Sequence, residues 1–408
     1  MGAGNVIVGQ SGGPTSVINS SLVGVFKTAR DAGCPHVYGM RNGIEGLLQE
    51  RWVDMSMYVR NDLDIELLKR TPSSFLGTCR FKLPDYTKDE DTYKKIFAVL
   101  KKLDIKHFFY IGGNDSMDTI DKLSKYAAFI NSDITFIGIP KTIDNDLAMT
   151  DHTPGYGSAA KYIASAMKEI IRDANTYPTE SINIVEIMGR DAGWLTCAAT
   201  LSRSEDCAGP DLISLPETVF DYDTFIKQIN EARSRKKVIT IAVSEGIKTA
   251  DGKYVCEANK RSMSEDAFGH KTLGGTALYL ADFLGAELGI KSRGIVFSTL
   301  QRCASHIVSR RDITEAFTAG ADGVQLALSG ETGKMIIFDR ISNNPYQLKT
   351  SSCPASAVAN VEKKVPLELL VNNGSYVTND FFEYARPLII GELSPFMVDG
   401  LPRHLFID

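Results

Sequence analysis

The sequence predicts an α/β fold with mainly parallel sheets, and three observations lead there. Apolar strand-like runs alternate with helix-period segments, several of those runs are continuously apolar, and glycine-bearing turns join strand ends to helix starts. Residues 5–9 read as a strand, 11–14 as a tight turn and 17–32 as a helix. Residues 36–41, 107–112 and 135–139 supply further strands; the runs His107-Phe108-Phe109-Tyr110-Ile111 and Thr135-Phe136-Ile137-Gly138-Ile139 suit strands buried on both faces. Residues 158–173 set Ile163, Met167, Ile170 and Ile171 at helical spacing. Residues 183–188 and 238–243 return to strand, 274–289 to helix, and 294–299 to strand. The charged stretch 84–95 reads as a solvated surface excursion. No internal repeat interrupts this pattern, and no linker rich in Pro, Gly or Ser marks a domain boundary.

A chain of 408 residues with 43% hydrophobic content buries a large core, expected to divide into two domains. Its net charge of −5 leaves no basic stripe, so neither nucleic acid nor an anionic membrane is an expected partner, while small anionic ligands stay compatible with a local cationic pocket. Cys34, Cys79, Cys197, Cys207, Cys256, Cys303 and Cys353 form no C-x-x-C pair, as expected of reduced thiols in a cytoplasm. No stretch approaches the roughly 20 apolar residues of a membrane span. The start runs straight into Val6-Ile7-Val8 without a basic segment, which adds to the cytoplasmic expectation.

Ligands of such sheets bind beyond the carboxyl ends of the strands, and three motifs stand there. Gly12 and Gly13 lie between a strand and a helix, where backbone N–H groups and the helix dipole can hold a phosphate; a purely structural turn reads equally well. Gly112-Gly113-Asn114-Asp115-Ser116 pairs two glycines with oxygen-bearing side chains suited to Mg²⁺, or forms a turn with Asp115 or Ser116 as N-cap of the next helix. Thr142-Ile143-Asp144-Asn145-Asp146 sets two carboxylates two residues apart, so that both face one crevice if the segment is extended; turn chemistry is the alternative. Paired carboxylates, one to take a proton and one to orient the attacking hydroxyl, are what phosphoryl transfer requires.

The ordered set Ser11-Gly12-Gly13, Phe75-Leu76-Gly77-Thr78-Cys79-Arg80, the two motifs above, Glu186-Ile187-Met188-Gly189-Arg190, Ser244-Glu245-Gly246 and Leu300-Gln301-Arg302 resembles the phosphofructokinase family nearly end to end. The resemblance implies two Rossmann-like three-layer α/β domains, with the chain crossing between them more than once. Residues 1–150 with about 303–340 would hold the phosphoryl donor, and 151–302 with about 341–408 would hold fructose 6-phosphate. Asp115 and Lys141 are the residues typical of the pyrophosphate-dependent members, where ATP-dependent bacterial members usually have Gly in place of Asp115 and often Gly in place of Lys141. A carboxylate at Asp115 would occupy the space of a nucleotide's α-phosphate. Two like charges about 4 Å apart repel by roughly 4 kcal/mol at an intermediate dielectric, on the order of a thousandfold in affinity.

The resemblance further implies that Asp144 is the base toward the sugar 1-hydroxyl, Asp146 orients it, and Lys141 with Mg²⁺ neutralises charge on pyrophosphate. Lys141 as a salt bridge to Asp115 or Asp144 is the alternative. Gly12, Gly13 and Arg80 would flank the donor; Thr142, Met188, Gly189, Arg190, Glu245, Arg293 and Arg302 would bind the sugar phosphate. Arg80 as a surface ion pair, Met188 as core packing and Arg293 as a solvent-facing charge are the bland counterparts. Three positions depart from the family pattern. Asn114 replaces a common aspartate at the metal position, so Mg²⁺ would bind through a neutral amide, shift to Asp115 or arrive with pyrophosphate; Thr299 and Ser181 replace a His and a cross-subunit Arg of many ATP-dependent members. A homodimer or homotetramer is implied. An ATP-dependent enzyme and a non-catalytic regulatory subunit of the same fold are the competing readings.

Overall fold

The computed structural model describes residues 4–258 and 273–407; residues 259–272, inside the expected second domain, lie outside the described part. In chain order the first half runs β1 (Asn5–Gln10), α1 (Ile18–Asp31), β2 (Val37–Met40), α2 (Gly43–Leu48), β3 (Trp52–Asp54), α3 (Asp62–Arg70), α4 (Glu90–Lys102), β4 (Ile105–Gly112), α5 (Asn114–Phe129) and β5 (Thr135–Pro140). There follow α6 (Tyr156–Ala174), β6 (Ser181–Ile187), α7 (Trp194–Ala198), β7 (Leu212–Ser214), α8 (Tyr222–Arg233), β8 (Val238–Ser244), α9 (Thr276–Leu288) and β9 (Ser292–Val296). The chain ends with α10 (Leu300–Cys303), α11 (Arg310–Leu328), β10 (Lys334–Asn343), β11 (Tyr346–Pro354) and α12 (Asn379–Ala385), besides two short hairpins.

These strands form two main sheets, one ordered β11-β10-β5-β4-β1-β2-β3 and the other β7-β8-β6-β9. Pairing is parallel from β10 through β5, β4 and β1 to β2, and throughout the second sheet; only β3 and β11 run antiparallel at the edges of the first. Side-chain alternation sorts each strand between two helical layers. Val6, Val8, Phe109, Ile111, Ile137 and Ile139 pack with Leu22 and Phe26 of α1 and Val324 of α11, whereas Ile7, Phe108, Tyr110 and Phe136 pack with Ile96 of α4 and Ile120 and Leu123 of α5. The second sheet repeats the plan: Val185 and Ile187 meet α6 and α7, while Ile182, Ile184 and Ile241 meet α8 and α9. Each sheet is therefore the middle of three layers. Among the described residues, no helix is long and apolar enough to cross a membrane.

Several sequence expectations shift. The helix expected from residue 17 begins at Ile18. The expected strand 294–299 ends at Val296, because Thr299 already caps α10. The expected surface excursion 84–95 contains the first turns of α4, which Asp89 caps by accepting from the Thr92 N–H and which buries Tyr93 completely. Finally, the first sheet keeps the chain until Pro354, beyond the boundary expected near 340, because β11 zips antiparallel onto β10. Ala355 and Val358 still pack in the first core; Val365, Val377, Phe381 and Leu388 pack with α6 in the second. The chain thus crosses between the sheets once more, around residues 359–364.

Helices α1 and α11 approach so closely that a methyl at Gly24 would collide with the carbonyl oxygen of Phe317, and one at Gly320 with that of Ser21. Gly24→Ala is expected to lower unfolding stability by about 1–3 kcal/mol through overpacking. Gly285, in α9, meets nothing nearer than the Ile290 carbonyl at 3.8 Å, so Gly285→Ala is expected to raise stability by about 0.5–1 kcal/mol. Urea titration of both variants checks the pair, and equal effects would contradict the close helix crossing.

Candidate active site

The carboxyl ends of both parallel sheets open onto one crevice. It is lined by Gly12 and Gly13 after β1, Asn114, Asp115 and Ser116 after β4, Lys141, Thr142, Asp144 and Asp146 after β5, Met188 and Arg190 after β6, Glu245 after β8, Arg80 from a connecting segment and Arg302 from α10. In the first sheet β1 lies between β4 and β2, so the loops after β1 and β4 diverge at the switch point where open α/β sheets bind ligands.

The loop after β5 carries the most chemistry. The Lys141 N–H donates to the Gly112 carbonyl at 3.0 Å, which ties this loop to the one after β4. The side chain is 2% exposed and its ammonium donates to the Gly13 carbonyl at 2.7 Å. Burial lowers the Lys141 pKa to about 8, against the opposing pull of Asp144 and Asp146. Burial raises the Asp144 pKa, which Lys141 and Arg190 counter; Asp146 is raised to about 7 by burial, by the Asp144 charge and by Glu362. The segment is not extended, as its two-residue spacing suggested. Asn145 takes the left-handed conformation, with φ 57°, which asparagine tolerates better than most residues. Both carboxylates still face the crevice because this turn, not strand pleating, aims them. The Asp144 N–H donates to Thr142 Oγ1 at 3.1 Å, a local turn bond that pins Thr142 beside the carboxylate.

Ser116 requires Gly112, since a Cβ there would collide with the Ser116 hydroxyl oxygen. Gly113 is the N-cap of α5, and Asn114 and Asp115 occupy its first turn. Neither Asp115 nor Ser116 is therefore the cap, but Asp115 sits where a helix favours negative charge. Gly12 adopts φ 74° and its N–H is committed to the Cys79 carbonyl at 3.2 Å. The helix α1 begins only at Ile18, so the expected cradle of N–H groups and helix dipole does not form at Gly12. What the glycines supply is room: a Cβ on Gly12 would stand 3.4 Å from the Lys141 ammonium, and one on Gly13 3.3 Å from the Arg302 guanidinium.

Across the crevice, Gly189 adopts φ 138° and lies behind the lining, its N–H donating to Glu245 Oε1 at 3.3 Å and its carbonyl accepting from the Ser244 hydroxyl. Burial raises the Glu245 pKa to about 7, helped by the charges of Asp144 and Glu186. The Met188 N–H donates to Gln301 Oε1 at 3.3 Å, which fixes the end of β6 against α10. Arg80, Arg190 and Arg302 face one another closely enough that, after burial, the two other guanidinium groups further lower the Arg80 pKa, while Asp115 opposes the shift. An overall acidic chain thus holds a cationic cluster.

Arg293 is not in this group. It is exposed on edge strand β9, paired with Asn183 of β6, and lines a separate cavity with Glu169, Ile170 and Asp173. Thr299 and Ser181 also stand outside the crevice. The structure adds Asp191, Ala192 and Glu362 to the lining. Asp191 adjoins a readable motif, but Glu362 comes from the crossing segment and carries no local signature. Among the described residues, no group of three or more His, Cys, Asp or Glu side chains has metal-binding geometry. The oxygen donors Asn114 and Asp115 fit an Mg²⁺ ion that keeps waters and shares phosphate oxygens, and they do not form an all-protein cage.

Comparison with known proteins agrees with this geometry. The phosphofructokinase family profile matches residues 5–296. A pyrophosphate–fructose 6-phosphate 1-phosphotransferase of Methylococcus capsulatus is 40% identical, covering 99% of this chain and 96% of its own; one from Xanthomonas campestris is also 40% identical, covering 98% and 96%. The crystal structure of a pyrophosphate-dependent phosphofructokinase from Nitrosospira multiformis superposes with a TM-score of 0.88 at 36% identity, covering 98% of this chain and 96% of that one. Sheet order, crevice and near end-to-end similarity make this chain a member of the phosphofructokinase family.

Proposed function

We propose that this chain is a pyrophosphate-dependent 6-phosphofructokinase, which moves a phosphoryl group reversibly from pyrophosphate to the 1-hydroxyl of fructose 6-phosphate. The observation that carries the reading is that Asp115 and Lys141 line the same crevice as Asp144, Asp146 and Arg190. The names of the relatives reported above support it. Asp144 takes the proton of the 1-hydroxyl as the oxygen attacks phosphorus, Asp146 orients the hydroxyl, and phosphate leaves with the electrons of the broken P–O bond. Lys141, desolvated and close by, offsets the charge on the transferring group and on the leaving phosphate. Mg²⁺ bound with pyrophosphate would be held by Asn114 and Asp115 and would supply further neutralisation of the phosphate oxygens.

Arg80 and the space over Gly12 and Gly13 receive the donor; Arg190 and Arg302 grip the sugar phosphate, and Glu245 accepts from sugar hydroxyls. The first sheet serves the donor and the second the acceptor. All seven cysteines are free thiols, which supports a cytoplasmic setting in glycolysis and gluconeogenesis. Assembly into a homodimer or homotetramer belongs to the same reading, supported by edge strand β9 with Arg293 exposed outside this chain's own crevice.

Assay of the purified chain with Mg²⁺, pyrophosphate and fructose 6-phosphate tests the whole; an inert protein would favour a regulatory subunit. Asp144→Asn is expected to lower kcat by about a thousandfold with the KM for both substrates little changed. Asp115→Gly is expected to weaken pyrophosphate turnover and to admit ATP, with gains of up to about a thousandfold in ATP affinity. An unchanged donor preference would defeat that assignment.

The pH profile offers an independent check. As pH falls through about 7, Asp146, coupled to Asp144, gains a proton and the pair loses its capacity as base; as pH rises through about 8, Lys141 loses its charge. A plot of kcat/KM is therefore expected to be a narrow bell with limbs near these values. An acid limb near the ordinary carboxylate value of about 4 would show that the pair is not desolvated.

A further inference from the structure

Asn145, between the two carboxylates, is fully buried and does not line the crevice. Its Nδ2 donates to the Tyr384 hydroxyl at 2.7 Å, and its Oδ1 accepts from the Thr153 N–H at 3.1 Å. The Tyr384 hydroxyl in turn donates to the Asp151 carbonyl at 2.8 Å, so one phenol joins the two arms of the loop that follows β5. The phenol is itself held in place. Its ring packs against Trp194 at 5.3 Å between centroids and lies under the Arg340 guanidinium at 4.6 Å. Arg340 is fixed on Asp151 Oδ2 at 2.7 and 3.1 Å, and Asp151 and Glu315 bracket His152, each at 2.8 Å.

A second grip comes from the crossing segment. The Lys363 N–H donates to the Asp146 carbonyl at 2.6 Å, and its ammonium donates to the carbonyls of Thr150 at 3.0 Å and Asp151 at 2.9 Å. Neither Tyr384 nor Lys363 lines the crevice. Whatever they contribute to chemistry passes through the loop.

Resting on the phosphoryl-transfer reading above, we propose that Tyr384 is a positioning residue for Asp144 and Asp146, acting through the side chain of Asn145. The left-handed region is small and sparsely populated by residues with side chains, so without its side-chain bonds Asn145 is free to leave it, and rotation there re-aims the two flanking carboxylates. Tyr384 removes that freedom by engaging the Asn145 amide. Deleting its hydroxyl leaves a buried NH₂ without its acceptor, a situation the loop relieves by turning toward other partners. Misplacement of a catalytic group by about 1 Å costs up to about a hundredfold in rate.

The test uses the full chain with Mg²⁺, pyrophosphate and fructose 6-phosphate, with the wild type measured alongside. Tyr384→Phe is expected to lower kcat by about tenfold while KM for both substrates stays within about twofold. A kcat within about twofold of an active wild type would overturn the positioning role, as would a raised KM with unchanged kcat. An inactive wild type would instead overturn the phosphoryl-transfer reading on which the role rests. Asn145→Gly keeps the left-handed backbone and deletes the amide, so it is expected to reproduce the loss. Adding Tyr384→Phe to Asn145→Gly is expected to cost nothing more, and a further tenfold loss would show that Tyr384 acts by another route. Should Tyr384→Phe fail to fold, Asn145→Gly carries the test alone, and unchanged kcat would overturn the inference.

Discussion

The buried ammonium of Lys141, held between Gly13 on one side and the Asp144–Asp146 pair on the other, is the interaction on which the rest of the crevice depends. Burial pulls its pKa down to about 8, while the two carboxylates pull it back up; burial raises theirs, while its charge draws Asp144 down. Lys141 and Asp144 each favour the other's charged form. Two carboxylates that repel each other in a desolvated site do not both stay charged without a cation nearby. Arg80 and Arg302 press in the opposite direction on Lys141, so an arriving phosphate relieves repulsion among the cations as it meets them. That is how a chain of net charge −5 presents a site for anions.

The fold supplies this arrangement by aiming the carboxyl ends of two parallel sheets at each other and then lacing them together. Glu217 accepts from the Gly193 N–H at 2.8 Å and from the Val365 N–H at 2.9 Å, and the Trp194 indole donates to the Lys363 carbonyl at 3.0 Å. The segment around residues 362–365 therefore holds the loop after β6 and the loop after β5 at once, and it sets Glu362 in the crevice wall. Substrate positioning across two domains depends on such fixed cross-links, because relative domain motion is otherwise the default expectation.

Legibility in the sequence followed the range of the physics involved. Strands β1, β4, β5, β6 and β8 were readable because burial on both faces demands strands rich in apolar residues, and the crevice residues next to them inherit their position from the strand ends. The β10–β11 hairpin was not read, since Lys334–Asn343 turns from buried to half-exposed along its length and its edge strand alternates. The opening of α4 was hidden by Asp89, Glu90 and Asp91, which are favourable at a helix start yet look like a solvated run. Tyr384, Lys363 and Glu362 touch the catalytic loop only through tertiary folding, from more than 200 positions along the chain, so no spacing rule reaches them. Arg293 is a related case. The resemblance assigns it to the sugar phosphate, and its place on edge strand β9 sets it outside this chain's own crevice.

Asp115 shows how magnitudes separate a structural role from a functional one at a single position. In the first turn of α5 its carboxylate interacts favourably with the helix dipole, worth about 0.3–1 kcal/mol for a surface group. In the proposed reaction the same charge stands against any phosphate placed close to it, a term of roughly 4 kcal/mol at about 4 Å and intermediate dielectric. The helix would therefore survive a neutral residue at this position with little loss, since Gly113 already serves as its N-cap. Donor choice would not, because the repulsive term is several times larger, even with Arg80 near the carboxylate. In the proposed reaction a compact diphosphate would shift toward Lys141 and escape the carboxylate, whereas a nucleotide would have to thread a further phosphate past it. Helix stability tolerates the acid, and under that proposal selectivity is what it would govern.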